Sequence, residues 1–205
     1  MPLVANPAKL HIIEHGHLER SSQGWRALCA PQVRGEVRSC GILMDALSEY
    51  RAALLARFAD QVGSLKDMLR GLAMTDIHRP AQAGEWSPHQ VLAHLLDVER
   101  RVNLPRLQRI LDQDCPPLEP FDQLAWMAEH YHPQEKMETL LLEFARARAE
   151  CLALLEALPA QAWNREGCHP ELGSHTLQWW LERAVAHTAG HIRQMAQAAL
   201  QESPG

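Results

Sequence analysis

No stretch of this chain is both long and apolar enough to cross a bilayer. A membrane helix needs about 20 consecutive, mostly apolar residues, and no such run occurs. The amino terminus also lacks the apolar core of a secretory signal. An excess of basic charge is missing as well. Lys and Arg number 20 against 25 Asp and Glu, for a formal net charge of -5. No basic run departs from that balance, so neither nucleic acid nor a membrane surface is expected as a partner. Cysteine is sparse and odd in number: five residues, Cys29, Cys40, Cys115, Cys151 and Cys168, with no Cys-x-x-Cys. That pattern argues against a disulfide framework or a zinc knuckle and for a reducing, cytoplasmic setting.

What is present is ordinary for one globular domain. The chain has 205 residues, of which 46% are hydrophobic and 22% charged, enough for a single full core. Residues 1 to about 43 show scattered Pro, Gly, Ser, Arg and Cys and no persistent period. They are expected to be an extension, as from an upstream start codon, with little fixed structure. The domain is expected to occupy residues 44–205.

Four long amphipathic segments follow. The first is expected from Asp45 to Leu72, with Leu47, Tyr50, Leu54, Phe58, Val62, Leu65 and Leu69 forming one stripe. The second opens on Ser87 as N-cap and Pro88 at the first helical position. Its apolar side holds Val91, Leu92, Leu95, Val98 and Val102, and Pro105 is expected to kink it. A loop at Cys115–Pro120 leads to a short helix within Asp122–His132. The third long helix is expected from Pro133 to Leu158, and the fourth from His175 to Leu200 after an irregular segment, Asn164–Ser174. Few stretches read as strands. The pattern predicts an all-α antiparallel four-helix bundle, with room for one crossover connection.

The chemistry centres on histidine. His187 and His191 stand four apart on the last helix, so both imidazoles share one face. With twelve histidines in the chain, one such pair arises by chance, so the spacing needs support. His94 lies among apolar neighbours on the second helix and faces or borders the core. If it meets the pair, three neutral nitrogens converge, as in a metal site that keeps an open position. Ala189 and Gly190 are small and leave room for a neighbour or ligand. Asp97, three residues after His94, is placed to orient an imidazole or act as a base, or else to form an ordinary surface ion pair. Glu99 is rotated away and is expected to pair with Arg100 or Arg101 neighbours in space. Gln194, three residues after His191, can reach a ligand near the metal. Trp86, Trp179 and Trp180 are either core or the rim of a pocket. Cys168 beside His169 is a thiolate candidate with no assigned role. His11-Ile12-Ile13-Glu14-His15 matches the H-x-x-E-H pattern of inverzincin peptidases, but with Pro7 before it and Gly16 and His17 after it, adventitious metal binding is the expectation.

The segment Gly84-Glu85-Trp86-Ser87-Pro88-His89-Gln90-Val91-Leu92-Ala93-His94-Leu95-Leu96-Asp97-Val98-Glu99 resembles the opening of the second helix in the DinB-like (YfiT-like) superfamily. Leu177 to Gln194, with His187-x-x-x-His191-x-x-Gln194, is similar to the last helix of that superfamily. The resemblance covers about residues 45–200. It implies a four-helix bundle holding one divalent metal through His94, His187 and His191. It also implies a metal-dependent enzyme of thiol-dependent S-transferase or isomerase type, acting on a small electrophile with a low-molecular-weight thiol as cosubstrate. Homodimers are common in the family. Zinc is the expected ion; nickel, manganese or iron also suit imidazole donors. Two other functions fit the same residues: a metal-dependent hydrolase, and a non-catalytic stress-response bundle whose metal only stabilises the fold.

Overall fold

The structure, a computed structural model, describes residues 36–73 and 75–200, with side chains described for 45–73 and 75–197. Helix α1 spans Glu36–Arg70 and so begins before the expected Asp45. Helix α2 spans Pro88–Val98, continues through a π-helical turn, Glu99–Asn103, and resumes as α3, Leu104–Asp112. A short α4, Gln123–His130, precedes α5, Met137–Leu155, and a 3-10 turn, Ala160–Asn164. Strands β1, Glu166–His169, and β2, Gly173–Thr176, form an antiparallel hairpin before α6, Leu177–Leu200. The remainder of the expected extension, with the His11–His15 motif and His17, lies outside the described residues.

The helix starts follow their local chemistry. Ser87 caps α2 reciprocally: its Oγ accepts from the Gln90 amide and its own amide donates to Gln90 Oε1. This capping box satisfies two donors that a helix start would leave orphaned. Asp122 does the same for α4, with Oδ1 accepting from the amides of Leu124 and Ala125.

Pro105 does not break its helix. The widened turn just before it moves the Leu104 amide onto the Glu99 carbonyl, five residues back. Proline lacks an amide hydrogen and crowds the carbonyl four residues earlier. A π turn places one extra residue there and absorbs the misfit without ending the helix.

Two buried apolar clusters fill the bundle, one at each end. Leu54, Phe58, Leu107, Ile110, Cys151, Leu155, Leu177 and Leu181 belong to the first. Leu65, Val91, Leu92, Leu95, Met137, Leu140, Phe144 and Met195 belong to the second. The order in which each helix passes them gives its direction: α1 and α6 run from the first to the second, α2–α3 and α5 the other way. Helix α1 packs on α5 and α6, and α2 packs on the same two. Neighbours α1 and α6 are therefore parallel, as are α2 and α5. The order is up-down-down-up, which is the alternative with a crossover connection and not a plain antiparallel bundle. The expected crossover is present: residues 113–136, including α4, return the chain along the length of the bundle.

The irregular segment expected at Asn164–Ser174 is mostly the β hairpin. Its strands are short and rich in Gly, Ser and His, which carry little strand signal. Residues Pro116–Leu118 of the crossover lie parallel to β1, with the Cys168 amide donating to Pro116 and the Leu118 amide to Cys168. Gly167 permits this contact. A Cβ there would sit 2.6 Å from Leu118 Cδ1 and 2.8 Å from Ile110 Cγ1, both on fully buried side chains.

A disulfide joins Cys115 to Cys168 across this seam, with Cα atoms 5.6 Å apart. It corrects the expectation of unpaired cysteines. An odd total excludes complete pairing but not one bond, and the backbone ladder on either side of Cys168 holds the two residues at bonding distance. The ground for expecting a reducing compartment is removed with it. No helix among the described residues is long and apolar enough to cross a membrane.

Candidate metal centre

His94 is on α2, and His187 and His191 are one turn apart on α6. The packing of α2 against α6 brings all three together between the apolar clusters. One ligand-capable atom from each lies within 4.8 Å of the others. The Nε2 atoms of His94 and His187 face each other at 3.3 Å. The three rings meet edge to face, with centroids 4.6 to 5.2 Å apart.

Burial keeps these rings neutral. It is the main cause that holds His94 down at about 2, with His191 and then His187 adding to it. It likewise holds His187 at about 3, helped by His191, Arg183 and Arg148. His191 is lowered by burial and partly restored by Gln194. Neutral imidazoles are the form that binds a metal. Nδ1 of His191 donates to Gln194 Oε1 at 2.9 Å, which fixes the tautomer and leaves Nε2 as an acceptor. That is the outer support typical of a ligating histidine. Nδ1 of His94 is buried with no protein partner. The cation-facing atom is the other ring nitrogen, Nε2, which is turned toward His187; a ligand bond there satisfies a buried polar atom that the protein leaves opposed only by another imidazole.

The depressed pKa values set a pH dependence for the metal-stripped protein. Above pH 6.5 these histidines are neutral whether folded or not. Below it, the unfolded chain takes up protons that folded His187 and His94 refuse until about pH 3 and 2. The unfolded state then binds more protons, so stability falls as pH drops through that window. Urea midpoints of stripped protein between pH 7.5 and 5 should decline, and less so in His187→Gln; a flat profile contradicts the buried-neutral assignment.

A cavity of about 620 Å³ opens beside the cluster, within the range of small-molecule sites. His187 and His191 line it, with Trp86, Gln194, Trp180 and Arg183 among the other walls. His94 lies behind them, fully buried. The Trp86 ring stands 4.8 Å from His94 and 6.5 Å from His191, nearly parallel to the latter. It is both a cavity wall and a shoulder of the second apolar cluster. Trp180 likewise serves core and cavity. Trp179 stacks on His175 at 3.8 Å and does not line the cavity.

Other sequence candidates end elsewhere. Asp97 pairs with Arg101, four residues on, at 3.5 Å; it is the surface ion pair and not the orienting base. Glu99 is the clearest correction. It is 1% exposed and pairs with Arg148 of α5 at 2.8 Å, not with Arg100 or Arg101. The π turn rotates it inward. Gln194 reaches His191 itself. Gly190 makes no close approach: a Cβ there would meet only Arg193, at 3.9 Å. Cys168 is bonded and cannot be a thiolate. Its neighbour His169 accepts from the amides of Glu171 and Leu172 and borders the cavity. His89 is a satisfied core histidine, bonded to Tyr131 Oη at 2.8 Å and to the Glu135 carbonyl at 2.7 Å. Arg106 and Arg183, both on the cavity wall, escaped the sequence reading. The spacing of Arg183 four residues before His187 was the signal that could have found one of them.

A model of the DinB superfamily matches residues 63–195. YfiT from Bacillus subtilis, described as a probable metal-dependent hydrolase with an unusual four-helix bundle topology, is a structural neighbour. It aligns with a TM-score of 0.65 and 22% identity, over 73% of this chain and 86% of its own. TT2238, described as a four-helix bundle protein, aligns with a TM-score of 0.51 and 24% identity, over 70% of this chain and 95% of its own. No curated protein sequence matches the chain.

Proposed function

The chain belongs to the DinB superfamily, and from that premise we propose a metal-dependent enzyme whose single divalent ion is held by His94, His187 and His191. The leading reaction is transfer or isomerisation of a small electrophile by a low-molecular-weight thiol. The observation that carries the reading is the shape of the donor set. Three neutral imidazoles converge beside an open cavity, and among the described residues no fourth His, Cys, Asp or Glu closes the cluster. A closed set of four protein ligands suits a structural role, and three with an open side suit catalysis.

A divalent ion there, zinc by default, supplies Lewis acidity that makes a thiol or a water nucleophilic near neutral pH. The chain's own residues supply position and exclusion. Gln194 orients His191, Trp86 walls off the cluster from one side, and the Thr188 hydroxyl ties α6 to Arg148 at 3.1 Å beside His187. Among the described side chains, no cysteine presents a reactive thiol to the cavity. Cys115 and Cys168 are bonded to each other. Cys151 is buried, and burial pushes its thiol far up, with Glu99 adding to it. None of the described side chains supplies the nucleophile, and in this reading a cosubstrate does. A homodimer, as the resemblance implies, is part of the same reading.

Hydrolysis is the second reading. It is favoured by the structural likeness to YfiT, described as a probable metal-dependent hydrolase. Metal analysis comes first: purified protein should hold one divalent ion per chain, and His187→Ala should hold none. Full retention of metal in that variant refutes the ligand assignment. Metal-restored protein should then consume a model electrophile only when a thiol is added. Ester cleavage without thiol selects hydrolysis instead, and neither activity selects a binding module.

A further inference from the structure

The cavity beside the histidines carries two arginines without counter-charges. Arg106, near the start of α3, donates to the Glu119 carbonyl at 2.7 Å and lies over the Trp180 ring. Arg183, on α6, lies 5.8 Å from the centroid of Trp179. Both line the cavity, and neither forms an ion pair with a carboxylate among the described residues. They feel each other: burial, and then the charge of Arg183, lower Arg106 to about 10, which leaves it charged at neutral pH. Both cations also bear on His169. The cavity's own carboxylates do not neutralise them. Asp122 is occupied as the α4 cap, and Glu85 and Glu171 stay beyond ion-pair distance of either guanidinium.

Two like charges held at one partly enclosed wall oppose each other unless an anion joins them. Guanidinium groups match a carboxylate in shape and donor number. The position is informative too. Arg183 precedes His187 by four residues, so its origin lies on the same face of α6, about 6 Å along the axis. A group seated at the arginines would leave the rest of a short molecule within reach of the histidines.

We propose that Arg106 and Arg183 form a seat for the carboxylate of a small organic acid that occupies the cavity beside His187 and His191. This deepens the enzymatic reading above and rests on it for the role of the histidines. It assigns the substrate class as a short carboxylic acid with its reacting centre a few bonds from the acid group. Trp180, which lines the cavity under Arg106, supplies an apolar wall at the seat.

The seat is tested apart from the metal. Metal-stripped full-length protein is titrated with butanoate and with butanamide, its neutral counterpart of similar size. Butanoate should bind at least about tenfold more tightly. Arg183→Met, at an exposed position, should remove that preference, and Arg183→Lys should keep part of it. Arg106→Gln should act like Arg183→Met. Equal binding of acid and amide, no saturable binding of the acid, or an unchanged preference in Arg183→Met each overturns the proposal. Metal content of the same proteins separates the two claims. Arg183→Met should retain the ion that His187→Ala loses. Acid binding in a protein that never takes up metal leaves the seat standing and removes the metal reading; metal uptake without acid preference does the reverse.

Discussion

Replacing Arg148 with Ala is expected to destabilise the fold by about 3–5 kcal/mol, because it strands a buried charge. Arg148 is fully buried at the middle of the bundle. It donates to the Phe58 carbonyl and Gln61 of α1, to Glu99 in the π turn, and to Thr188 of α6. One side chain from α5 thus bonds to the other three helical arms. Its guanidinium also lies 3.6 Å from the Phe58 ring centroid and 4.8 Å from that of Phe144. Burial pulls its pKa down, and Glu99 works against that. Without Arg148, Glu99 has no cation in an apolar interior, and Thr188 loses the bond that registers α6 beside His187. Urea denaturation of Arg148→Ala, Glu99→Gln and the double variant gives the coupling. A double variant clearly more stable than the sum of the single losses identifies the ion pair as the cause. Additive losses would point instead to the cavity left by the side chain. The same change should weaken metal retention, since it frees the helix that carries two of the three histidines.

This polar layer shows where the sequence was readable and where it was not. His94, His187 and His191 were legible because each sits on a regular helix, where a period of 3.6 fixes the face. The Ser87-Pro88 start was legible because capping is local. Glu99 was misread because its direction depends on a π turn, and that turn depends on Pro105, six residues later. The partnership with Arg148 spans 49 residues, and no periodicity links positions so far apart. Helix order was also out of reach: residues 71–87 join α1 to α2, a connection too long to force consecutive helices to pack side by side, and α1 packs mainly on α5 and α6 instead. The arginine seat escaped because charged residues on amphipathic helices ordinarily face water. Only the cavity gathers the half-buried Arg106 and the exposed Arg183 on one wall.

Opening the Cys115–Cys168 bond is the other large change to expect. The two residues are 53 apart in sequence, and a loop of that length gives a chain-entropy stabilisation of about 4 kcal/mol. The bond closes a loop containing α4, α5 and the 3-10 turn, so an unfolded chain without it samples far more conformations. The folded protein is affected more locally. Pro116–Leu118 keeps its two backbone bonds to Cys168, and Leu118 stays packed in the core. Urea midpoints should therefore fall sharply on reduction, and equally in Cys115→Ala/Cys168→Ala, which should no longer respond to reductant. Alkylation with and without reduction, followed by mass measurement, verifies that two extra thiols appear. An unchanged midpoint with those thiols exposed would show that the reduced unfolded ensemble is already compact, and the entropic account fails. The histidines should still take up metal after reduction, because they sit on α2 and α6 and not on the bonded seam. The acid seat is more exposed to the change: Arg106 is anchored to the Glu119 carbonyl, four residues from Cys115, so freeing the crossover should loosen one of the two guanidinium groups. Reduced protein is thus expected to keep its metal while its preference for butanoate over butanamide declines.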